Sequence, residues 1–405
     1  MNTRADQHLV LASLQSRKPV LTAEHLKDLL HQRYGIQIAL VKEFESYDDR
    51  TYYVKAEPGH GIGTRSEFIA KVLNSQFTAL EGVVATHTDI LNHLKSFPEL
   101  GCQFALPNLA GDLLSYEMIP NDVWDGDVLV GRQEALSTLR LLNFVPGIPL
   151  ASVSPLPTSF FFDGGKHLGK LQQALQEYPG DTTNLKSKAE KSIWCLSSVP
   201  RLKGYLPLVS DIQRRQLVRE VIELFEATVM PAIGGLRKGI VQHDFNGDNV
   251  LVTAVPEDAA LSTRSDNDCI HTSVPKAITQ YQISGLIDFD DIVYSCLVYE
   301  IATGMMYMMY CSDQPVEAAA FLLAGFERVS PLHPEERRLL KMLIAGRFAQ
   351  SLLISLLQTK NHPDNMYVAR SLVKGWTLLG MWWGQTESQL QELWERVQAR
   401  GAGEH

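Results

Sequence analysis

A polar loop between two apolar runs carries the first pair of residues that could do chemistry. One apolar run ends at Val241, the next begins at Val250, and the loop between them contains Asp244 and, five positions later, Asn249. This spacing is typical of loops that transfer phosphoryl groups, in which the Asp orients the attacking hydroxyl and the Asn amide oxygen binds Mg²⁺. Asp, Asn and Gly are also typical of any tight turn, so the spacing alone is weak evidence.

A second polar loop follows the apolar residues 285–287 and begins with Asp288, 39 residues beyond Asn249. A carboxylate at a strand end beside an amide oxygen offers hard oxygen ligands suited to Mg²⁺, which needs few protein ligands when phosphates supply the others. Two such loops in this order, separated by a predicted hairpin, favour phosphoryl transfer over two unrelated turns. We therefore predict that the two loops converge, that Asp244 is catalytic and that Asn249 and Asp288 bind Mg²⁺.

A lysine in the N-terminal part of the chain predicts a contact with nucleotide phosphates. Lys71 interrupts the apolar residues 68–73. Burial of an unpaired ammonium is costly, and the α- and β-phosphates of a nucleotide would supply the anionic partner. The alternative is a lysine whose stem lies along an edge strand. Two acids of the following helix, Glu81 and Asp89, could pair with Lys71, and the choice between them stays open.

The segment 46–51 joins two candidate strands and predicts a second contact with the phosphates. Its backbone N–H groups and small side chains could cover a triphosphate, and we name Ser46, Asp48 and Arg50 as nucleotide contacts. The segment has no glycine, so it differs from the Gly-rich loop of protein kinases. A plain hairpin turn explains the same residues equally well.

Two further polar residues adjoin these loops or lie in apolar surroundings. His243 precedes Asp244, and we interpret it as a structural hydrogen-bonding residue rather than a general base. Glu300 lies within the apolar stretch 292–311, where it could contact the substrate. Its alternative role is that of a buried acid paired with a basic residue such as Arg347.

The hydrophobic pattern predicts two lobes that position these residues. The first part of the chain predicts an antiparallel sheet, with one strand at 67–73 and a helix at about 77–95. A mainly helical region with short strands beside each polar loop follows a Pro- and Gly-containing break near residue 146, and its predicted helices include 291–310 and 363–395. Ligands favour the cleft between such lobes. We predict an α+β fold with a flexible leader at residues 1–21, an N-lobe at 22–144 and a C-lobe at 145–405. The C-lobe contains a predicted surface insertion at 254–280.

Composition narrows the possible partners. The formal net charge is -9, which argues against a nucleic-acid surface. The apolar stretch 292–311 contains an acid and is better explained as a buried helix than as a membrane span, and we identify no signal peptide at the N-terminus. Five widely spaced cysteines without a Cys-x-x-Cys motif favour a reducing compartment over a disulfide framework or zinc site; they are Cys102, Cys195, Cys269, Cys296 and Cys311.

The chain resembles the hydroxylysine kinase family, a branch of the aminoglycoside phosphotransferase and choline kinase group with a protein-kinase-like fold. The resemblance extends over nearly the whole chain from about residue 22. It is carried by SYDD at 46–49, LRLL at 139–142, PGIP at 146–149, IW at 193–194, GLIDFDD at 285–291, MYMM at 306–309, LAGFE at 323–327, RFAQSL at 347–352 and GW at 375–376.

This resemblance implies a cytoplasmic enzyme of lysine catabolism that phosphorylates the 5-hydroxyl of 5-hydroxy-L-lysine with GTP as the donor; ATP is the alternative donor. It matches Asp244 to the catalytic Asp, Asn249 and Asp288 to the Mg²⁺ ligands, and Lys71 to the strand lysine. The segment 141–144 matches the hinge that contacts the nucleotide base and includes Leu142, Asn143 and Phe144.

The implied substrate is a small cationic amino acid, so its ammonium groups would need carboxylates near the acceptor site. Asp290 and Asp291 are candidates because they directly follow the metal acid Asp288, and Asp248 is a third. We expect the nucleotide and this substrate as partners, and neither nucleic acid nor a membrane. The sequence does not specify an oligomeric state.

Several residues depart from the family pattern. The family loop usually begins His-Gly-Asp and here reads Gln242-His243-Asp244. Asp290 stands at the glycine of Asp-Phe-Gly, and His87 stands at a helix position that often carries an acid. Two alternatives therefore stay open: a kinase for another amino alcohol or aminoglycoside-like acceptor, and a catalytically silent kinase-like module that binds nucleotide.

Overall fold

The N-lobe is built on a five-stranded antiparallel sheet in the computed structural model, which describes residues 18–46, 49–125, 128–256, 278–361 and 366–401. Its strands are β1 (Ile38–Phe44), β2 (Arg50–Ala56), β3 (Glu67–Leu73), β4 (Ser115–Asp125) and β5 (Val128–Asn143). They lie in the order β1-β2-β3-β5-β4, so β3 is central. Lys71 is therefore not on an edge strand, which removes that alternative explanation for it.

The side chains of β3 alternate between two faces of the sheet. Phe68, Ala70 and Val72 are fully buried and pack with helix α1 (Ala23–Tyr34) in the core of the N-lobe. Ile69, one residue on from Phe68, belongs instead to the core that continues into the C-lobe. Lys71 shares the face of Ile69 and is thus directed toward the C-lobe.

The predicted helix at 77–95 is two helices, α2 (Ser75–Thr78) and α3 (Glu81–Leu94). Ile90 and Leu91 of α3 join the same core as Ile69, so this helix covers the face of the sheet that carries Lys71.

The C-lobe is mainly helical, as predicted. Its α-helices are α4 (Thr158–Gln176), α5 (Thr183–Lys191), α6 (Ile212–Thr228), α7 (Val298–Met308), α8 (Pro315–Glu327), α9 (Pro334–Asn361), α10 (Met366–Trp383) and α11 (Glu387–Gly401). Its short strands are β6 (Ile148–Pro149), β7 (Lys238–Val241), β8 (Val250–Pro256), β9 (Ile278–Leu286) and β10 (Val293–Cys296). The chain also has 3₁₀ turns at Pro98–Leu100, Leu150–Ser152, Leu196–Leu208, Met230–Gly235 and Met309–Cys311.

Two antiparallel strand pairs bring the polar loops together. β7 enters the first loop and pairs with β10, which leaves the second, so Val241 lies opposite Val293. β8 leaves the first loop and pairs with β9, which enters the second, so Val250 lies opposite Leu286. Both ends of each loop are thus held against the ends of the other, and the predicted convergence of the two loops is confirmed.

The structure differs from the sequence prediction in several elements. The helix predicted at 291–310 begins only at Val298, because β10 pairs with β7 before it. The helix predicted at 363–395 is interrupted after Trp383. Residues 18–21 of the predicted flexible leader lie on the sheet, where the Val20 N–H donates to the Pro120 carbonyl at 2.7 Å. Residues 1–17 and most of the predicted insertion, 257–277, lie outside the described residues.

One helix in the described part of the chain, Pro334–Lys360, is long and apolar enough by length and composition to cross a membrane. Its most apolar window is 83% buried within the fold, and the core helix of a soluble protein passes the same test. The stretch 292–311, the most apolar in the sequence, contains α7, which is almost entirely buried in the C-lobe core as predicted.

Candidate active site

Gln242 links the two polar loops. Its side-chain oxygen accepts the Asp244 N–H at 3.0 Å, and its side-chain nitrogen donates to the Asp288 carbonyl at 3.2 Å. The backbone reinforces this link, since the Ile287 N–H donates to the Asn249 carbonyl at 3.0 Å. An amide carries both a donor and an acceptor, so glutamine can span the loops at the position where the resemblance implies histidine.

The Asp244 carboxylate is oriented by two asparagines and one arginine. Asn249 and Asn246 donate to its Oδ2 at 2.7 Å and 2.9 Å, and an Arg347 nitrogen lies 3.7 Å from its Oδ1. Burial raises the pKa of Asp244 to about 7, and the Asp291 and Asp288 carboxylates add to the shift while Arg347 opposes it. A carboxylate with a raised pKa that is fixed at one oxygen is suited to accept a proton at the other.

Asn249 and Asp288 fit a hard divalent cation. The Asn249 side-chain NH₂ group donates to the backbone carbonyl and to Oδ2 of Asp244, so the side-chain oxygen of Asn249 is the atom available to a metal. The Asp288 side chain is 50% exposed. Burial raises the pKa of Asp291, and Asp288 raises it further. A cation near these mutually repelling carboxylates would be stabilised, and oxygen ligands are the kind that Mg²⁺ prefers.

This donor set differs from a metal cage made by the protein alone. Within the described ranges, no group of three or more His, Cys, Asp and Glu side chains is arranged to hold a metal ion. Mg²⁺ keeps most of its ligands from water and substrate phosphates in sites that transfer phosphoryl groups, so one carboxylate and one amide oxygen are sufficient.

Two residues of the loops adopt left-handed backbone conformations. His243 has a φ of 69° and Asp288 a φ of 57°, and they are the only non-glycine residues with positive φ in the described part of the chain. Asp tolerates this region well, and histidine does so better than most residues. The resemblance implies glycine at this position, and His243 adopts the left-handed conformation there at a modest energetic cost.

Lys71 is 8% exposed and faces three carboxylates. Its ammonium lies 2.5 Å from Asp290, 3.0 Å from Asp288 and 4.0 Å from Asp49. Neither candidate named from sequence is seen as its partner: Asp89 is exposed, and the side chain of Glu81 lies outside the described residues. The partner comes instead from the second polar loop, which no local pattern could indicate.

Glu300 has a structural role rather than the predicted contact with substrate. It is fully buried, and its carboxylate accepts the N–H of Gln242 at 2.5 Å and that of His243 at 3.3 Å. Burial raises the pKa of Glu300 to about 7, against the effect of these two N–H groups. The side chain of Arg347 does not pair with it but lies between the rings of Trp194 and Tyr307, near Asp244.

Arg50 is also placed differently from the prediction. It pairs with Val72 in the sheet, whereas its neighbour Thr51 pairs with Lys71, so Arg50 points to the face opposite the lysine. Its guanidinium binds Glu43 at 2.5 Å and the Pro19 carbonyl at 2.8 Å, and a direct phosphate contact would require these bonds to break.

The remaining predicted nucleotide contacts lie on or near the cleft. The Ser46 hydroxyl donates to the Asp49 carbonyl at 2.5 Å, which closes the turn between β1 and β2. Asp48 lies outside the described residues. Leu142 is buried opposite Ile69 on the Lys71 face, and Asn143 exchanges hydrogen bonds with the backbone of Phe104.

The last of these predicted contacts, Phe144, packs edge-on against Tyr53 with ring centroids 5.3 Å apart.

The three acids predicted to contact the acceptor lie in different surroundings. Asp248 is exposed at the rim, and Asp291 is partly buried near Asp244. The Asp290 carboxylate is engaged by cations of the N-lobe, which corrects its predicted role as an acceptor contact.

The structure adds residues that sequence reasoning missed. Asp49 accepts the backbone and side-chain N–H groups of Asn74 at 2.7 Å and 3.0 Å and thereby fixes the turn near Lys71. Arg140 is 1% exposed in the middle of β5. It interrupts an apolar strand as Lys71 does, so the same signal could have found it. Lys188, in α5, donates to the backbone carbonyls of Asp290 and Ile292. It does not interrupt an apolar strand, so no sequence pattern indicated it.

Comparisons with known proteins show what the whole chain is similar to. No protein-family model matches the chain. The hydroxylysine kinase of Danio rerio is 30% identical over 385 residues, 94% of this chain and 97% of that protein. The hydroxylysine kinase of Xenopus laevis is 29% identical over 391 residues, 95% of this chain and 96% of that protein.

Among solved structures, an amicoumacin kinase in complex with AMP-PNP, Ca²⁺ and its ligand is similar with a TM-score of 0.59 at 13% identity, covering 89% of this chain and 93% of that one. This likeness confirms the predicted two-lobed, kinase-like fold.

Replacing Glu300 tests its structural role. We expect Glu300→Ala to leave two buried N–H groups without an acceptor, at a cost of about 1–3 kcal/mol each, and to lower both the midpoint of thermal unfolding and the activity. Glu300→Gln retains one oxygen acceptor and should fall between this variant and the wild type. The exposed Glu335→Ala provides the control; if it lowers the midpoint as much as Glu300→Ala does, the assignment is wrong.

Proposed function

This chain belongs to the hydroxylysine kinase family, and from that premise we propose that it transfers the γ-phosphoryl group of GTP to the 5-hydroxyl of 5-hydroxy-L-lysine. That it is a phosphotransferase with an alcohol group as acceptor follows from its named relatives. The substrate is supported by the names of these relatives, and GTP by the family resemblance. From the same resemblance we propose that the enzyme acts in lysine catabolism.

The observation that carries the proposal is the convergence of two loops on one site. Asp244 and Asn249 lie five residues apart in the first loop, where Asn249 donates to Asp244, and Asp288 comes from a loop 39 residues further along the chain. Asp288 nevertheless lies close enough to raise the pKa of Asp244. Gln242 joins the two loops through its side chain. These three residues therefore have the arrangement needed for an acceptor hydroxyl and a metal-bound triphosphate to meet.

Asp244 orients the acceptor hydroxyl and takes its proton. The hydroxyl oxygen forms a bond to the γ-phosphorus, the bond from that phosphorus to the β–γ bridging oxygen breaks, and the proton passes to Asp244. Asn246 and Asn249 hold Oδ2 of this carboxylate, so Oδ1 is the atom that faces the hydroxyl. Mg²⁺, held by Asn249 and Asp288, supplies charge neutralisation on the phosphates when it is bound.

Lys71 and the residues around it position the donor. Its ammonium lies on the cleft face of the central strand within 4.0 Å of three carboxylates, and these ion pairs support its proposed contact with the α- and β-phosphates. Most of the rate in such transfers comes from positioning and electrostatics, so the precision of these supports matters more than the basicity of one group.

For the ammonium groups of the acceptor we retain Asp291 and Asp248 as candidates. Asp291 lies near the catalytic carboxylate, and Asp248 is exposed beside the metal residue Asn249. We also propose a cytoplasmic location. The four cysteines in the described part of the chain are free and buried, as is usual in a reducing compartment.

An acceptor screen tests the proposed function. Purified protein is incubated with Mg²⁺, GTP or ATP, and 5-hydroxylysine, ethanolamine, choline or an aminoglycoside, and nucleoside diphosphate release and phosphorylated product are measured. We expect turnover with hydroxylysine and GTP. Lysine is the matched control because it lacks only the hydroxyl. Preference for another acceptor would replace the substrate, and turnover with none would leave a nucleotide-binding module.

Replacing the catalytic carboxylate should separate chemistry from binding. We expect Asp244→Asn, which keeps the shape but not the basicity, to reduce turnover by about 10²–10⁴-fold. Affinity for the nucleotide, measured by titration calorimetry, should change little because Asp244 contacts the acceptor. The exposed Asp313→Asn serves as the control. Wild-type turnover in Asp244→Asn would refute the role.

The metal residues should set the Mg²⁺ requirement. We expect chelation of divalent cations to stop turnover and added Mg²⁺ to restore it. Asp288→Asn should raise the half-saturating Mg²⁺ concentration by at least the roughly 10- to 100-fold that is typical for loss of a residue supporting a metal. An unchanged Mg²⁺ titration in this variant would show that Asp288 is not a ligand.

A further inference from the structure

Two cations of the N-lobe converge on one carboxylate of the C-lobe. Lys71 on β3 and Arg140 on β5 are direct neighbours in the strand pairing. Lys71 lies 2.5 Å from one oxygen of Asp290, and Arg140 lies 2.8 Å from the other. The carboxylate is therefore shared by both cations, one at each oxygen.

Among the side chains of helix α3 that the structure describes, no acid pairs with Lys71. His87 of α3 is fully buried, and its Nδ1 lies 3.9 Å from an oxygen of Asp290. Burial lowers the pKa of His87 to about 4, so it is neutral at physiological pH. Its Nε2 lies 3.1 Å from the Ile292 carbonyl, so the ring braces the second loop instead of pairing with a cation. Asp89 of the same helix is exposed.

The other two carboxylates near Lys71 have competing roles. Asp288 is the proposed metal ligand, and a bound cation would compete with Lys71 for its oxygens. Asp49 lies 4.0 Å from Lys71 and already accepts both N–H groups offered by Asn74. Asp290 is the closest of the three to the ammonium. Within the described residues its carboxylate accepts no backbone N–H, and it is not a proposed metal ligand.

We propose that Asp290 is the positioning residue of Lys71: a carboxylate of the metal loop, anchored by Arg140, holds the lysine for the nucleotide phosphates in place of an acid on helix α3. This rests on the proposed function only in that the bound phosphates are those of a nucleotide. Lys188 donates to the carbonyls of Asp290 and Ile292, which fixes the backbone of the loop that carries Asp290.

Because Lys71 and Arg140 belong to the N-lobe and Asp290 to the C-lobe, the ion pairs cross between the lobes next to the metal site. The geometry of the lysine is then set by the same loop that carries Asp288, so donor phosphates and metal are positioned by one short segment.

A double-mutant cycle tests the proposal with nucleotide binding as the readout. We expect Asp290→Asn to lower kcat/KM for the nucleotide by about 100-fold, to weaken binding of the Mg²⁺-nucleotide measured by calorimetry, and to leave KM for the acceptor unchanged. In a Lys71→Met background the same replacement should have little further effect on binding, which corresponds to a coupling of about 10-fold or more. Equal losses in both backgrounds, or wild-type binding by Asp290→Asn, would overturn the proposal.

A relocated carboxylate supplies the second test. Glutamate has about the reach of histidine, so His87→Glu places an acid beside the position of Asp290. We expect His87→Glu combined with Asp290→Asn to recover much of the lost nucleotide affinity, whereas the matched His87→Gln combination should not. Thermal midpoints identify any variant that has lost its fold, and equal affinities of two folded combinations would count against the proposal.

The outcomes separate this proposal from the proposed function. Nucleotide affinity needs no acceptor, so a wild-type protein that binds Mg²⁺-nucleotide but phosphorylates none of the tested alcohols would refute the function and still allow the cycle to be measured. Conversely, turnover of hydroxylysine with no coupling between Asp290 and Lys71 would leave the function intact and remove the role of Asp290.

Discussion

The site depends on the pairing of two loops at both of their ends. Val241 opposite Val293 and Val250 opposite Leu286 bring a loop at residues 242–249 against one at 287–292. Neither loop has enough regular structure to fix polar side chains by itself, and the backbone ladder supplies that constraint. Burial of so many carboxylates is tolerable only because the arrangement also brings Lys71, Arg140 and Arg347 to them.

Departures from the family pattern are accommodated by local chemistry. Gln242 replaces a histidine, but its amide donates to one loop and accepts from the other, so the link between the loops is made. His243 replaces a glycine at a φ of 69°, and the Glu300 carboxylate accepts its backbone N–H and that of Gln242. Such support over-determines the loop, which allows a non-glycine residue to hold a left-handed conformation. These contacts weigh against a silent module more than the sequence alone did.

Sequence reasoning succeeded where the evidence was local and failed where it was spatial. β3 was predicted with its observed bounds, because alternation with period two shows which side chains share a face. The two-lobed fold and the meeting of Asp244, Asn249 and Asp288 were also predictable from spacing and element order. Arg50 was misplaced because an adjacent residue on a strand points to the other face. The partners of Lys71 and Glu300 come from segments far along the chain, and no periodicity encodes that proximity.

The charge balance around Lys71 links these observations. Lys71 and Arg140 bring two positive charges to the cleft face of the sheet, while Asp49, Asp288 and Asp290 bring three negative ones. A divalent cation held by Asp288 would take up part of that negative charge, and bound phosphates would bring negative charge toward Lys71. A lysine paired only with Asp288 would lose its support at the moment the metal bound. A second acid, one residue beyond Phe289 and anchored by Arg140, would keep the lysine in place through that exchange. The proposed role thus gives a physical reason for a carboxylate where the family pattern has glycine.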